Sequence, residues 1–366
     1  MNKKLRNNII VLLLAIVISL ILSAMNIMLP YMFGPIIASI ICIRVFKLEV
    51  EWPFWLSQLG LILLGVQIGS TFTRTVLNDI TQNWLSIVLV TVLLLGMAIL
   101  IAYFFKKIAK VNNETALLSV IPGALSQMLI MAEEDKRANI LVVSLTQTSR
   151  VIFVVILVPM MSYFMSSGSG EASSSKLVEL EPLTHVLNIG QIVLLIVAIA
   201  IVYFVMAKIN FPTKQLLAPI VVLIAWNMFT NETFSLDNYL IAAAQIAYMI
   251  RIGIQISKLM NDLKGRVAVA IAFQNVMLIL LAGVMVYLIS LFNHMPLNDL
   301  FLGAAPGGMS QIVLVAMETH ADVAIISSFH IFRIFFILFL IAPIIKYFLS
   351  SLERKLHKYH MHINDR

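Results

Sequence analysis

Twelve apolar runs alternate with short polar breaks along the chain. They fall near residues 9–26, 28–46, 53–73, 84–105, 115–132, 139–163, 187–207, 215–229, 236–257, 267–292, 299–317 and 322–349. Trp84 to Phe105 carries no charge. At about 1.5 Å per residue it is long enough for the roughly 30 Å hydrocarbon core of a bilayer. The pattern predicts an all-α, polytopic transmembrane protein. The longest polar stretch, 166–184, is rich in Ser and Gly and fits a flexible linker. The expected organisation is membrane repeat 1 over 1–165, linker over 166–185, membrane repeat 2 over 186–350 and a basic cytoplasmic tail over 351–366.

The two halves match in four ordered blocks. Gly34-Pro35-Ile36 resembles Ala218-Pro219-Ile220, and Gly65-Val66-Gln67-Ile68-Gly69 resembles Gly253-Ile254-Gln255-Ile256-Ser257. Pro122-Gly123-Ala124-Leu125-Ser126-Gln127 resembles Pro306-Gly307-Gly308-Met309-Ser310-Gln311. Asn139, Ser144, Gln147 and Arg150 align with Asp322, Ser327, His330 and Arg333 at identical spacing. The offset stays between 183 and 188 residues, which points to a duplication.

Composition strengthens the membrane reading. Hydrophobic residues make up 61% of the 366 and charged residues 12%, about half the soluble average, which leaves no room for a large soluble domain. The net charge of +7 does not indicate nucleic acid, because the basic residues sit at the ends of apolar runs and in the tails. Lys3, Lys4 and Arg6 before the first run resemble a signal peptide, but the run reads as a retained first helix. The single Cys42 excludes an internal disulfide and a cysteine metal cluster.

Charge also orders the topology. If every run crosses, each half has six crossings, and Lys258, Lys264 and Arg266 fall outside. If 115–132 and 299–317 enter and return, each half has five crossings and the second half is inverted. Lys106, Lys107, Lys110, Lys208, Lys258, Lys264, Arg266 and the tail then all fall inside, as the positive-inside rule asks. The expected architecture is two inverted repeats, about ten crossings plus two re-entrant or broken helices, with both termini cytoplasmic in the cell (plasma or inner) membrane.

Candidate chemistry lies at the breaks. Pro122-Gly123 and Pro306-Gly307-Gly308 should interrupt or start helices, and irregular backbone at membrane depth survives only inside protein or beside a water-filled cavity. Ser126, Gln127, Ser310 and Gln311 add donors and acceptors there. Arg150 and Arg333 each lie 11 residues into an apolar run, where an arginine needs a partner. Either they clamp an anion, or they are tied to carbonyls of the broken helices. Gln67 and Gln255 either line the same cavity or bond between helices. Asp322 and His330 are proton-coupling candidates; Glu318 and His320 fit solvated loop positions better. Glu133 to Arg137 is expected to be a solvated loop, and Arg251 to snorkel toward the inner face. No phosphate loop, H-E-x-x-H or G-x-S-x-G is present.

The paired Pro-Gly-x-x-Ser blocks, each followed by a helix with a central Arg, resemble the AbrB-type membrane protein family. The Leu29-Pro30…Gly34-Pro35 and Phe211-Pro212…Pro219 segments resemble it as well. The likeness covers nearly the whole chain. It implies a duplicated membrane domain, and members are variously labelled transporters, regulators or ammonia monooxygenases. An acidic residue commonly follows the Ser in that pattern; here Gln127 and Gln311 stand there, which removes a proton-carrying carboxylate from that position. One Cys and scattered His offer no evident copper or iron site. The expected function is a secondary transporter or permease of a small polar or anionic solute. The alternative is a membrane regulatory or assembly protein acting on a partner without transport. No enzyme activity, cofactor, metal or nucleic acid is expected; partners are membrane lipids, the solute and a homo-oligomeric copy.

Overall fold

A computed structural model describes residues 3–168 and 182–347, leaving out 124, 136, 210, 231–233, 293–294 and 346. Most of the Ser/Gly linker and all of the basic tail lie outside the described residues. So does the side chain of Ser126.

The chain is helical throughout, with no β-strand among the described residues. The first half runs α1 (Lys3–Ala24), α2 (Pro30–Ile40, continued by a π turn over Ile41–Val45), α3 (Phe54–Ser70), α4 (Arg74–Gln82) and α5 (Trp84–Ala109). It goes on through α6 (Asn113–Val120), α7 (Leu125–Glu134) and α8 (Ile140–Gly168). The second half runs α9 (Leu183–Val186), α10 (Ile189–Lys208), α11 (Lys214–Thr230), α12 (Asn238–Asp262) and α13 (Gly265–Ser290). It ends with α14 (Leu297–Ala304), α15 (Met309–Glu318) and α16 (Val323–Phe336, continued by a π turn over Ile337–Ile341). Seven helices are long and apolar enough to cross a membrane: α1, α5, α8, α10, α12, α13 and α16 with its π turn. These make it a multi-pass membrane protein. The first helix packs on α2, and Asn7 donates to the Glu49 carbonyl at 2.9 Å, so it belongs to the fold.

The helices sort into two bundles. α1–α3 pack with α10–α12; α5–α8 pack with α13–α16. The first bundle closes through small residues. A Cβ on Gly65 would come within 2.4 Å of Pro219, and one on Gly253 within 2.7 Å of Ser39. Such close approach is how small residues join membrane helices. Between the bundles the packing is thin, made chiefly where α12 meets α8 and where α16 and α15 meet α3.

Runs 115–132 and 299–317 are each broken into a helical hairpin. In α6–α7 the chain returns to where it began: the Asn139 N–H donates to Thr115 Oγ1 at 2.9 Å, and Arg137 pairs with Glu114 at 3.2 Å. The expected solvated loop at 133–137 is thus partly structural, since Asp135 is buried and bound by Arg137. In α14–α15 the Asp322 N–H donates to Asp299 Oδ1 at 3.3 Å, and Asn298 donates to Thr319 Oγ1 at 3.2 Å. The two bases sit at opposite ends of α8. That helix starts directly after Asn139, and its Ser162, 22 residues on, donates to Asn298 Oδ1 at 2.6 Å. At helical rise the separation is about 33 Å. The hairpins therefore point toward each other from opposite ends of the bundle.

Candidate functional site

Each hairpin tip lies where its first short helix ends. The exposed carbonyls of such an end need donors, and in both halves the long helix that follows the hairpin supplies them. From α8, Gln147 Nε2 donates to the Leu118 carbonyl at 2.8 Å and the Ile121 carbonyl at 3.0 Å. Arg150 donates to the carbonyls of Ser119 (3.2 Å), Val120 (2.8 Å) and Ile121 (3.2 Å), and to Gln147 Oε1 (2.9 Å). From α16, His330 Nε2 faces the Leu302 carbonyl at 2.9 Å. A carbonyl only accepts, so Nε2 carries the hydrogen and Nδ1 accepts from Arg333 Nη2. Arg333 Nη1 reaches the Ala304 carbonyl at 3.4 Å.

The plan is the same, but the saturation differs. Arg150 makes four hydrogen bonds, three to its own hairpin and one to Gln147 of the same helix, and its Nε is buried without a partner. Arg333 has two bonds among the described residues, one of them long, which leaves N–H groups uncommitted. Both guanidiniums are buried, at 4% and 2% exposure, and neither has an ion pair among the described residues.

The tips also cross over. Gly123 has φ +106°, a left-handed conformation that favours glycine, and a Cβ there would sit 3.5 Å from Arg333 Nε. A Cβ on Gly307 would lie 2.7 Å from Val154, one turn beyond Arg150. Each tip thus rests on the arginine helix of the other half.

A cavity of about 310 Å³ opens at this crossing. Gly123, Gln147, Arg150, Gly307, Gly308, Ser310, Gln311, His330 and Arg333 line it, and among the described residues no Asp or Glu does. α15 begins there without a side-chain cap, so its first-turn N–H groups and positive dipole end face the space. Ser310 Oγ and Tyr248 Oη lie 2.9 Å apart, and Gln311 Nε2 donates to Tyr248 Oη at 2.8 Å. From the tips the cavity extends to Pro212, Thr213, Gln215 and Leu216, in the turn after α10 and the start of α11.

Other candidates lie elsewhere. Pro122 and Pro306 shape the tips but do not line the cavity, and neither does Gln127. Gln67 and Gln255 are also outside it; Gln67 Oε1 accepts from the Leu236 N–H at 2.7 Å, tying α3 to the chain before α12. Asp322 caps α16 by accepting from the Ala324 and Ile325 N–H groups, as Asn139 caps the start of α8. Arg251 stacks over the Phe54 ring at 4.2 Å. Tyr248 was not singled out by sequence. Its counterpart, 188 residues earlier, is Gly60, so matching the halves passes over it. A hydroxyl in the middle of an apolar run was the signal available.

The fold and site define a multi-pass helical membrane protein with two opposed hairpins meeting at a cationic cavity. A family model described as "Transition state regulatory protein AbrB" matches residues 31–349, and the chain belongs to that family. It is similar to the "Putative regulator AbrB" of Escherichia coli (strain K12), with 27% identity over 93% of this chain and 96% of that one. It is also similar to the "Uncharacterized protein YhjN" of Bacillus subtilis (strain 168), with 23% identity over 79% of this chain and 77% of the other.

Proposed function

We propose that the protein is a secondary transporter of a small anionic solute in the cell membrane. The observation that carries this is Arg333. It is a buried guanidinium with uncommitted donors, in a cavity that no carboxylate lines among the described residues, where two opposed hairpins meet. Buried charges require a partner, and an anion entering the cavity supplies one. The seven long helices plus the shorter α2, α3 and α11 make ten crossings, five in each of two inverted repeats. Arg44, Lys106, Lys107, Lys208, Lys258 and Lys264 then share the inner face, with both termini cytoplasmic. The cavity extends toward Pro212, just beyond Lys208, so this conformation opens inward.

Alternating access follows from the two bundles. Scaffold helices α3, α11 and α12 supply one wall of the cavity, and the hairpin bundle supplies the anion site. Sliding the hairpin bundle along the thin seam would carry the site past that wall. Paired repeats with interrupted helices at mid-membrane are a recurrent transporter design. Proton coupling, if present, belongs to Asp299 and Asp322 rather than to His330, whose ring nitrogens are both engaged. We read the protein as a carrier and not an enzyme.

The competing reading is a membrane regulator without flux, the role printed in the name of the Escherichia coli relative. Proteoliposomes separate the two. Vesicles bearing the protein are bathed in a metabolite extract, and their lumen is profiled by mass spectrometry. The transporter reading expects at least one anion to accumulate with the wild-type protein and not with Arg333→Ala. A lumen indistinguishable from that of empty vesicles overturns it.

A further inference from the structure

Resting on the reading of this cavity as the solute site, we infer that the solute is an organic monoanion: a carboxylate on a short apolar body. Donor arithmetic sets the charge. All four terminal N–H groups of Arg150 are committed, three to its own hairpin and one to Gln147, which leaves only its Nε. Of the two guanidiniums among the described residues lining the cavity, Arg333 is therefore the one with terminal N–H groups to offer. The other polar groups at that end are neutral: Tyr248, Ser310, Gln311 and the uncapped start of α15. They suit one acidic group together with an uncharged oxygen, and provide no second cation for a dianion.

Volume and lining set the body. A dry cavity of about 150 Å³ holds benzene, and this one is about 310 Å³. A phosphate or sulfate on Arg333 would leave most of it unfilled. Leu61, Val151, Leu216 and Ile334 line the space away from the guanidinium, so a ring or short alkyl chain removes apolar surface from water there.

The test uses the purified full-length protein in detergent, with binding read from thermal shifts and titration. The probes are acetate, butyrate, hexanoate, benzoate, benzamide, succinate, phosphate and sulfate. Affinity should rise from acetate to hexanoate by roughly fourfold per added methylene. Benzoate should stabilise where benzamide does not, and Arg333→Gln should abolish the benzoate shift. A flat acetate-to-hexanoate series, or stabilisation by succinate, phosphate or sulfate alone, overturns the monoanion class while leaving an anion site standing. If none of the anions binds, or benzamide binds as well as benzoate, the anion-site reading itself fails. The chain-length series needs no variant, so it remains decisive if Arg333→Gln does not fold.

Discussion

The two hairpins are one design used for two purposes. Leu118 and Leu302 present carbonyls at equivalent places, and both are held from the following long helix, by Gln147 and His330. Arg150 and Arg333 stand three residues further on, each bonded to that neighbour. Beyond this point the halves diverge. Arg150 gathers three carbonyls at the end of α6, whereas Arg333 keeps one long contact with Ala304. Equivalent buried arginines can thus be bonded to very different extents. Under the function proposed above, the anion clamp and the carbonyl brace, alternatives for either arginine in sequence, are divided between the two.

The largest expected effect tests that division. Arg150→Ala strips the donors from three carbonyls at a buried helix end. Each buried carbonyl left without a donor costs about 1–3 kcal/mol, and the variant should melt far below the wild-type protein or fail to accumulate. Arg333→Ala removes fewer bonds and should fold. It should lose tenfold or more in hexanoate affinity, as removing one charge-assisted hydrogen bond of about 1.5–3 kcal/mol implies. Equal melting of the two variants would erase the distinction.

Much of this was legible in the chain. The apolar runs gave the long helices, because a bilayer demands unbroken apolar length. Lys258, Lys264 and Arg266 join the other basic clusters on one side only if 115–132 turns back, and the Thr115–Asn139 contact closes that hairpin. The arginines were legible because charge in an apolar run is costly. Their saturation was not, since it depends on which carbonyls the tip presents in three dimensions. Gln67 matches Gln255 in sequence, which leaves cavity lining and a bond between helices open for both; Gln67 makes a bond of the second kind, from the far end of α3 to Leu236. Tyr248 was overlooked because duplication highlights what the halves share, and the polar node it makes with Ser310 and Gln311 is what they do not.

The hairpin bases repeat the contrast. Thr115 and Asn139 meet at one base, Asp299 and Asp322 at the other. Both acids lie outside the long apolar helices, at the base of their hairpin. Burial lifts Asp299 from 3.8 to about 7, and it raises Asp322 as well, with Asp79 of α4 adding repulsion to the latter. Glu318 and His320 stand in the same turn. A carboxyl whose folded pKa is raised holds a proton that the unfolded chain has released. Stability should therefore fall as pH rises from about 4 to about 7, and then level off. The melting temperature should be higher at pH 5 than at pH 8, and Asp299→Asn should flatten that difference. Thr115→Val, at the other base, should leave it unchanged.

At the polar node, Tyr248→Phe removes a hydroxyl that meets both Ser310 and Gln311 and keeps the ring. A neutral hydrogen bond contributes about 1 kcal/mol net, so hexanoate affinity should drop roughly fivefold to tenfold with little change in melting. A melting loss as large as that of Arg150→Ala would mean that the node holds the bundles together instead of shaping the solute site.

The smallest effect is expected where the two plans are made identical. His330→Gln puts in the second half the residue that Gln147 already is in the first. A glutamine amide can donate to the Leu302 carbonyl and accept from Arg333, as Gln147 does with Leu118 and Arg150. Melting and hexanoate binding should both stay near wild type. His330→Leu leaves the Leu302 carbonyl without its donor and should lower the melting temperature, by an amount matching about 1–3 kcal/mol for an unsatisfied buried group. If His330 instead carries the transported proton, glutamine will support binding but abolish proton-driven flux in proteoliposomes. In that case the second half differs from the first in its chemistry and not only in how fully its arginine is bonded.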